Sequence, residues 1–354
     1  MKRLVKQVLG IDVAQDELVV CLGKMYDDWT PELVAHKTFA NTVKGFSALL
    51  EWVGKLTDKS IPTGYVMEST GVYHELFAYF LHDQGLNVHI ILPNKISNYA
   101  RTLNVKTVTD RTASEAIAMF GLERKLDTWE PPKGIYRQLQ QLTRERGQLM
   151  DESTVIKNQL HAENAGAKPH KKSIDRATRR LELIGRQLKE IMVELSELIH
   201  TDSETQIIIL LICTIPGIGL LTAATILGET NGFELIRNKK QLASYAGLDV
   251  REKQSGTSVK GKPSISKKGN RHLRKAMHLP ALTAIRHDDR FKAIFARLVS
   301  RHGIKMKAVV AIQRKLLEMT YTVFRTGKKY DREHFKNEQV KKEGNLVEVI
   351  VGEE

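Results

Sequence analysis

The chain has 354 residues, 42% of them hydrophobic, enough for two or three domains with ordinary cores. Lys and Arg number 55 against 41 Asp and Glu, a formal net charge of +14 that favours a polyanionic partner, nucleic acid first among them. Only Cys21 and Cys213 are present, far apart in apolar surroundings, so neither a disulfide framework nor a zinc knuckle is supported.

A reducing cytoplasm fits this cysteine usage. No stretch reaches the ~18 apolar residues of a membrane span, and the longest apolar run is 207–213. The opening run MKRLVKQVLGID meets Asp12 too early for a signal peptide.

Residues 6–125 alternate strands and helices. Residues 7–13 read as a short apolar strand, followed by a turn at 14–16 and by strands at 18–23 and 33–39. Phe46, Leu49, Leu50 and Val53 share one face of a helix over 43–56. A strand at 63–68, a helix at 73–82, a strand at 87–92 and helical segments over 96–122 follow. The order β-β-β-α-β-α-β-α predicts an α/β domain over 1–130, a mixed sheet with flanking helices.

The period then changes. Ile135, Leu139, Leu142, Leu149, Ile156 and Leu160 recur before a polar break at 164–173. The break holds Gly166, Pro169 and the basic side chains Lys168, His170, Lys171 and Lys172. Beyond it, Ala177, Leu181, Ile184, Leu188, Ile191, Leu195 and Leu198 alternate spacings of four and three, a heptad seam. The pattern predicts an antiparallel coiled-coil hairpin over 131–202, each arm ~40 Å long at 1.5 Å per residue. A plain spacer or a dimerisation coiled coil has the same signature.

Residues 203–328 read as a mainly helical domain, with helices at 205–213, 220–229, 239–246, 271–287, 290–302 and 306–325. Residues 329–354 read as a charged tail.

Three acidic residues stand out. Asp12 lies in the apolar strand Val8-Leu9-Gly10-Ile11-Asp12, where a carboxylate is costly unless it meets a cation or a donor. Glu68 ends the strand Tyr65-Val66-Met67-Glu68, and Asp110 opens the last helix of the domain. With the first and fourth strands adjacent, Asp12 and Glu68 can meet at one edge of the sheet, and the final helix delivers Asp110. Converging carboxylates fit a hard divalent cation such as Mg²⁺, and such ions promote phosphodiester cleavage. Each residue has a plainer role open to it: Asp110 as a helix N-cap with Ser114 beyond it, Glu68 as an exposed strand end, Asp12 as part of an Asp-x-x-x-Asp turn.

Pro216-Gly217-Ile218-Gly219 between two apolar helices has the form of a helix-hairpin-helix turn. Gly217 and Gly219 would let backbone N–H groups approach a phosphate; a tight glycine turn in a bundle looks the same. The segment 254–271 is dense in basic side chains, with Lys260, Lys262, Lys267, Lys268 and Arg271, and Arg274 follows. It also holds four serines, and a hydroxyl beside glycine is sterically open for attack. Gly256 through Lys262 matches a phosphate-binding loop pattern, but Pro263 stands where Ser or Thr must follow and no continuous apolar strand precedes it, so the pattern does not support an ATPase.

Taken in order, these motifs resemble the DEDD-type insertion-sequence transposases of the insertion-sequence-110 family, the bridge-RNA-guided recombinases. Gly10-Ile11-Asp12, Met67-Glu68-Ser69-Thr70-Gly71 and the run 106–116 resemble the N-terminal motifs. Ile215-Pro216-Gly217-Ile218-Gly219, Tyr245-Ala246-Gly247-Leu248, Ser255-Gly256 and the run Ile265 through Arg274 resemble the C-terminal ones. The resemblance implies an RNase-H-like nuclease domain akin to Holliday-junction resolvases, a coiled-coil hairpin and a C-terminal domain supplying a serine. It implies Asp12, Glu68 and Asp110 as Mg²⁺ ligands and Ser255 as nucleophile. It also implies donor and target DNA, a non-coding guide RNA and a homo-oligomer, dimer or tetramer. The setting would be the bacterial or archaeal cytoplasm, at the nucleoid. One position departs: the family pattern has a second Asp three residues after the third carboxylate, and here Ala113 stands there. Two other functions stay open, a structure-specific nuclease using water and a catalytically dead nucleic-acid-binding relative.

Overall fold

The computed structural model describes residues 2–69, 71–103, 107, 109–234, 236–251, 254–255, 259–260 and 264–331. The chain divides into two compact units, Met1–Pro131 and Pro132–Glu354.

The first unit is a mixed sheet with flanking helices. Strands β1 (Leu4–Val13), β2 (Glu17–Tyr26) and β3 (Pro31–Ala40) form an antiparallel meander. They are followed by α1 (Val43–Leu56), β4 (Thr63–Glu68), α2 (Glu75–Asp83), β5 (Asn87–Ile91), α3 (Pro93–Ala100) and α4 (Asp110–Glu123). The sheet order is β3-β2-β1-β4-β5, with β4 parallel to both β1 and β5. The expected element order holds. The strands of the meander are longer than expected because Glu17, Tyr26, Pro31 and Ala40 extend the ladders at their ends. The helical stretch near 96–122 is two helices, with a short 3₁₀ turn at Arg101–Leu103 between them.

Alternation along β1 sorts its side chains to two cores. Leu9, Ile11 and Val13 face α1 and α2, packing with Phe46, Leu49, Phe77 and Leu81. Val8 faces the other way, against Ile117 and Leu122 of α4. By the same parity Gly10 and Asp12 point to the α4 side. Gly10 has a steric reason to be glycine: a Cβ there would stand 2.3 Å from the Ala118 nitrogen and 2.4 Å from the Ser114 carbonyl oxygen. A Cβ on Gly121, further along α4, would stand 2.7 Å from the Val8 side chain and 2.9 Å from that of Val66.

The second unit is mostly helical. Helices α5 (Gly134–Ala165) and α6 (Lys171–Thr201) are joined by a short turn and pack on each other through Ile156, Ala177 and Ile184. Their outer ends, Leu139 and Leu142 on α5 and Leu195 and Ile199 on α6, enter the core of the helices that follow. Near its end the α6 stripe passes from Leu195 to buried Ile199, and Leu198 is only partly buried. The helices that follow are α7 (Ser203–Ile212), α8 (Leu220–Thr230), α9 (Lys239–Tyr245), α10 (Arg271–Ala276), α11 (His278–His287), α12 (Asp289–His302) and α13 (Lys305–Thr326). The single helix expected over 271–287 breaks at Met277, and Pro280, with no N–H to give, sits within the first turn of α11. Between α9 and α10 lie four two-residue strands: β6 (Val250–Arg251), β7 (Gln254–Ser255), β8 (Val259–Lys260) and β9 (Ser264–Ile265). Among the described residues no helix is long and apolar enough to cross a membrane.

Gly10→Ala should lower stability by about 1–3 kcal/mol, the usual cost of overpacking, because the methyl meets helix backbone that cannot rotate away. Chemical denaturation of the two forms checks this. Gly54→Ala, whose added Cβ meets nothing within 4 Å, serves as the control and should not destabilise.

Candidate active site

The parity of β1 and β4 builds the site. In register, Gly10 lies beside Val66 and Ile11 beside Met67. One step on, Asp12 and Glu68 therefore end the two neighbouring strands, both on the α4 side. Asp12 and Glu68 are half-buried, while Asp110 is exposed. Asp110 is the first residue of α4 and not its cap. That role belongs to Thr109, whose hydroxyl accepts from the Thr112 N–H while the Thr112 hydroxyl accepts from the Thr109 N–H. The box fixes the start of α4, and its positive end favours the Asp110 carboxylate.

Asp12 senses the other two acids. Asp12 is pushed up to about 6, first by burial and then by the charges of Asp110 and Glu68, with a hydrogen bond from the Val13 N–H acting in the opposite direction. No three acidic, imidazole or thiol side chains among the described residues stand close enough to hold one ion between them. The donor set itself suits a hard divalent cation, all carboxylate oxygen, and such an ion would relieve the repulsion recorded at Asp12.

Ala113 lies three residues into α4, half-buried, its N–H bonded to the Thr109 carbonyl at 2.8 Å. The next acid along, Glu115, is engaged elsewhere, 2.9 Å from the His36 ring nitrogen and 3.3 Å from the Arg111 guanidinium. Cys21, buried beside this group, is pushed up to about 12 by burial and by Glu115, so its thiol is no nucleophile near neutral pH.

In the second unit, Gly217 (φ +84°) is pressed on α11, with a Cβ there 2.3 Å from the Pro280 carbonyl oxygen. Gly219 has open space around it and caps α8 without a side-chain bond, leaving the first N–H groups of that helix available to a ligand. Ser255 ends β7 and pairs across a hairpin with Val259, as Gln254 does with Lys260. Lys262 lies outside the described residues. The segment after β9 is tightly held. Lys267 takes a positive φ of 52° and bonds the Gly247 carbonyl, the Lys268 N–H bonds the Ser266 hydroxyl, and the Arg274 guanidinium donates to the Ala246 carbonyl at 2.8 Å. Arg271 opens α10, which Asn270 caps.

The anchor of this segment is a residue that sequence reasoning missed. The Glu229 side chain on α8 is fully buried. Arg144 of α5 grips it with two bonds, 2.7 and 2.8 Å, and Asn270 donates a third at 2.6 Å. Burial alone would raise Glu229, but these bonds outweigh it and hold the carboxyl below its usual range. The Tyr245 hydroxyl bonds the Glu229 carbonyl, and the Asn270 N–H bonds the Tyr245 carbonyl.

Residues 9–163 match the transposase model of DEDD-type IS110 elements, and residues 210–296 match the model described as the transposase IS116/IS110/IS902 family. The chain belongs to the IS110 family of transposases. The first match spans Asp12, Glu68, Asp110 and Ala113, and the second spans Gly217, Glu229, Ser255 and Arg274. The transposase is 27% identical over 329 residues to a pilin gene-inverting protein of Moraxella bovis, covering 92% of this chain and 98% of the relative. It is 22% identical to the transposase for insertion sequence element IS1111A of Coxiella burnetii, over 87% of each chain. Among solved structures, RuvC of T. thermophilus bound to a Holliday junction substrate overlaps 35% of this chain and 99% of its own, at 10% identity and a TM-score of 0.27.

Two outcomes test this geometry. Asp12 binds its proton more tightly folded than unfolded, so its ionisation weakens the fold as pH rises from about 4 to about 6. Asp12→Asn should therefore raise the melting temperature in chelator at pH 7.5 by roughly 2–4 °C, and the gain should vanish near pH 4. Glu229→Ala removes the buried acceptor of two bonds from the part-exposed Arg144 and of one from Asn270, and should cost about 1–3 kcal/mol, read as a lower urea midpoint.

Proposed function

We propose that the protein cuts and rejoins DNA strands at the ends of an insertion element, through an RNase-H-like acidic site and a serine nucleophile. The observation that supports this is the placement of Asp12 and Glu68 at the same end of the adjacent strands β1 and β4, with Asp110 opening α4 on the same side of the sheet. Such a cluster opposes folding, so its presence in a strand otherwise apolar asks for a function.

Asp12, Glu68 and Asp110 would hold Mg²⁺ once drawn closer together than they stand in this structure. Bound there, the ion would polarise the scissile phosphate and stabilise the departing oxygen. Ser255 attacks the phosphorus with its hydroxyl oxygen; the bond to one strand end breaks and that end leaves as a free hydroxyl carrying a proton. Lys267, Lys268, Arg271 and Arg274, with Lys260 and Lys262, would meet the phosphates, and the open N–H groups after Gly219 would position the backbone. We infer from the motif resemblance that a non-coding RNA pairs with donor and target DNA and that the working form is a dimer or tetramer. The hydrolytic alternative needs the same acids and no serine.

Ser255→Ala should abolish covalent protein–DNA adducts on a nicked suicide substrate, seen on denaturing gels, with DNA and RNA affinity within about twofold of the parent. Adducts that persist would move the nucleophile to another residue, and cleavage without any adduct would favour water. With alanine at 113 the acidic site is one carboxylate short of the family pattern. Ala113→Asp should raise Mg²⁺-dependent strand cleavage by at least tenfold, since Mg²⁺ demands near-ideal oxygen geometry. Full activity of the parent, with no gain from Asp, would remove the fourth carboxylate from the mechanism.

A further inference from the structure

A groove of about 1170 Å³ in the second unit has a composition that phosphate binding alone does not explain. Its floor is apolar, built from Leu248, Ile265, Leu279, Ile304, Met306 and Val310. Several of these face solvent, Leu279 at 71% exposure and Met306 at 56%. Exposed apolar surface gathered in one groove marks a binding site. The rim carries Lys267, Arg271, Arg274, Lys275, Lys307 and Arg314, of which Lys275 pairs with Asp151 and Arg314 with Glu318, and among the described residues no Asp or Glu lines the groove.

The occupant must therefore be apolar and acidic together. A nucleic-acid backbone supplies charge but no apolar side chains. Unstacked bases prefer aromatic platforms, and among the described residues no Phe, Tyr or Trp lines this groove. One segment of the chain has the required composition: Leu346-Val347-Glu348-Val349-Ile350-Val351-Gly352-Glu353-Glu354. It carries five large aliphatic residues, three glutamates and no basic residue. It lies outside the described residues. Its β-branched run suits an extended conformation, and the pair β6–β9 lies in the groove wall through Val250, Ser264 and Ile265. Among the described residues β6 and β9 pair only with each other, which leaves outer edges for an added strand.

The reach is sufficient. Helix α13 starts at the groove, through Met306, Lys307 and Val310, and leads away from it to Thr326. Its length is ~33 Å at 1.5 Å per residue. The residues 332–345 that precede the segment can span up to ~46 Å when extended.

We propose that this groove is the docking site of the chain's own segment 346–354. The docked segment covers the apolar floor, sets its glutamates against the basic rim and competes there with nucleic acid. The competition rests on the reading above that Lys267, Arg271 and Arg274 meet phosphates; the docking does not.

The test uses the full chain with a photo-crosslinking amino acid in place of Leu279. Mass spectrometry should place the crosslink within 346–354, and Val349→Asp together with Ile350→Asp should remove it. Absence of that crosslink, or one formed only between isotopically distinct copies, overturns docking of the chain's own segment. The same double substitution should tighten binding of a random single-stranded 20-mer DNA at least fivefold at low salt. A crosslink with unchanged DNA affinity overturns the competition and leaves the docking standing. DNA that binds neither form counts against the nucleic-acid reading of the rim, and the crosslink still decides the docking.

Discussion

Helix α4 lies on β1 at backbone contact, and the acidic site follows from that one constraint. The contact is made by glycine and small side chains: Gly10 on the strand, Ser114, Ala118 and Gly121 on the helix. Val8 meets Gly121 while Gly10 meets Ser114 and Ala118, so helix and strand run in opposite directions. From that contact, two residues along the strand, ~6.6 Å, reach Asp12. Four residues back along the helix, ~6 Å, reach Asp110. The equal strides bring the two acids near one another without any contact between them. A larger residue at 10 would lift the helix and carry Asp110 away from the strand end. Asp12 supplies the charge, while Gly10 decides where the other charge stands.

The second unit solves the opposite electrostatic problem. It must hold a basic segment in place although its like charges repel. Glu229 does this from inside the core. A buried carboxylate is tolerable only with donors on it, and Arg144 and Asn270 supply three bonds. These donors come from α5 and from the N-cap of α10, so one buried charge ties the hairpin root, α8 and the basic segment together. Gly247 and Gly269 then let the two strands of backbone close up, since a Cβ at either would fall within 3.1 Å of its neighbours. The basic side chains outside rest on a neutralised interior.

How much of this could be read from residues alone depends on the range of the interaction. The strand pairing and the placement of Asp12 and Glu68 follow from a period of two and an apolar run, both local signals. The cap of α4 was less legible, because Thr109 and Asp110 are both good cap residues and only the reciprocal Thr112 bond decides. Glu229 was invisible. It sits at the end of an apolar helix, Ile226-Leu227-Gly228-Glu229, and its partner Arg144 is 85 residues away. The break at Met277 was masked by an unbroken helical pattern in which Pro280 lies only three residues on. The apolar groove escaped for a related reason. Leu279 and Met306 occupy helix positions that look like core, and only packing shows that they are exposed among the described residues.

The two units place their costs differently, and this bears on position 113. In the first unit burial, and then the charges of Asp110 and Glu68, raise the affinity of Asp12 for a proton. A further carboxylate one turn into α4 would add to that repulsion while leaving the helix, its capping box and the Gly10 contact untouched. Alanine there removes a charge and keeps a good helix former, so folding gains where ion binding loses. No comparable exchange is open at Glu229, where removing the carboxylate takes the shared acceptor from Arg144 and from the Asn270 side chain that caps α10. An acidic site of this kind therefore sheds a ligand without harm to the scaffold, whereas the basic segment cannot shed its anchor. Loss of activity by drift should begin among the carboxylates, with the fold intact around them.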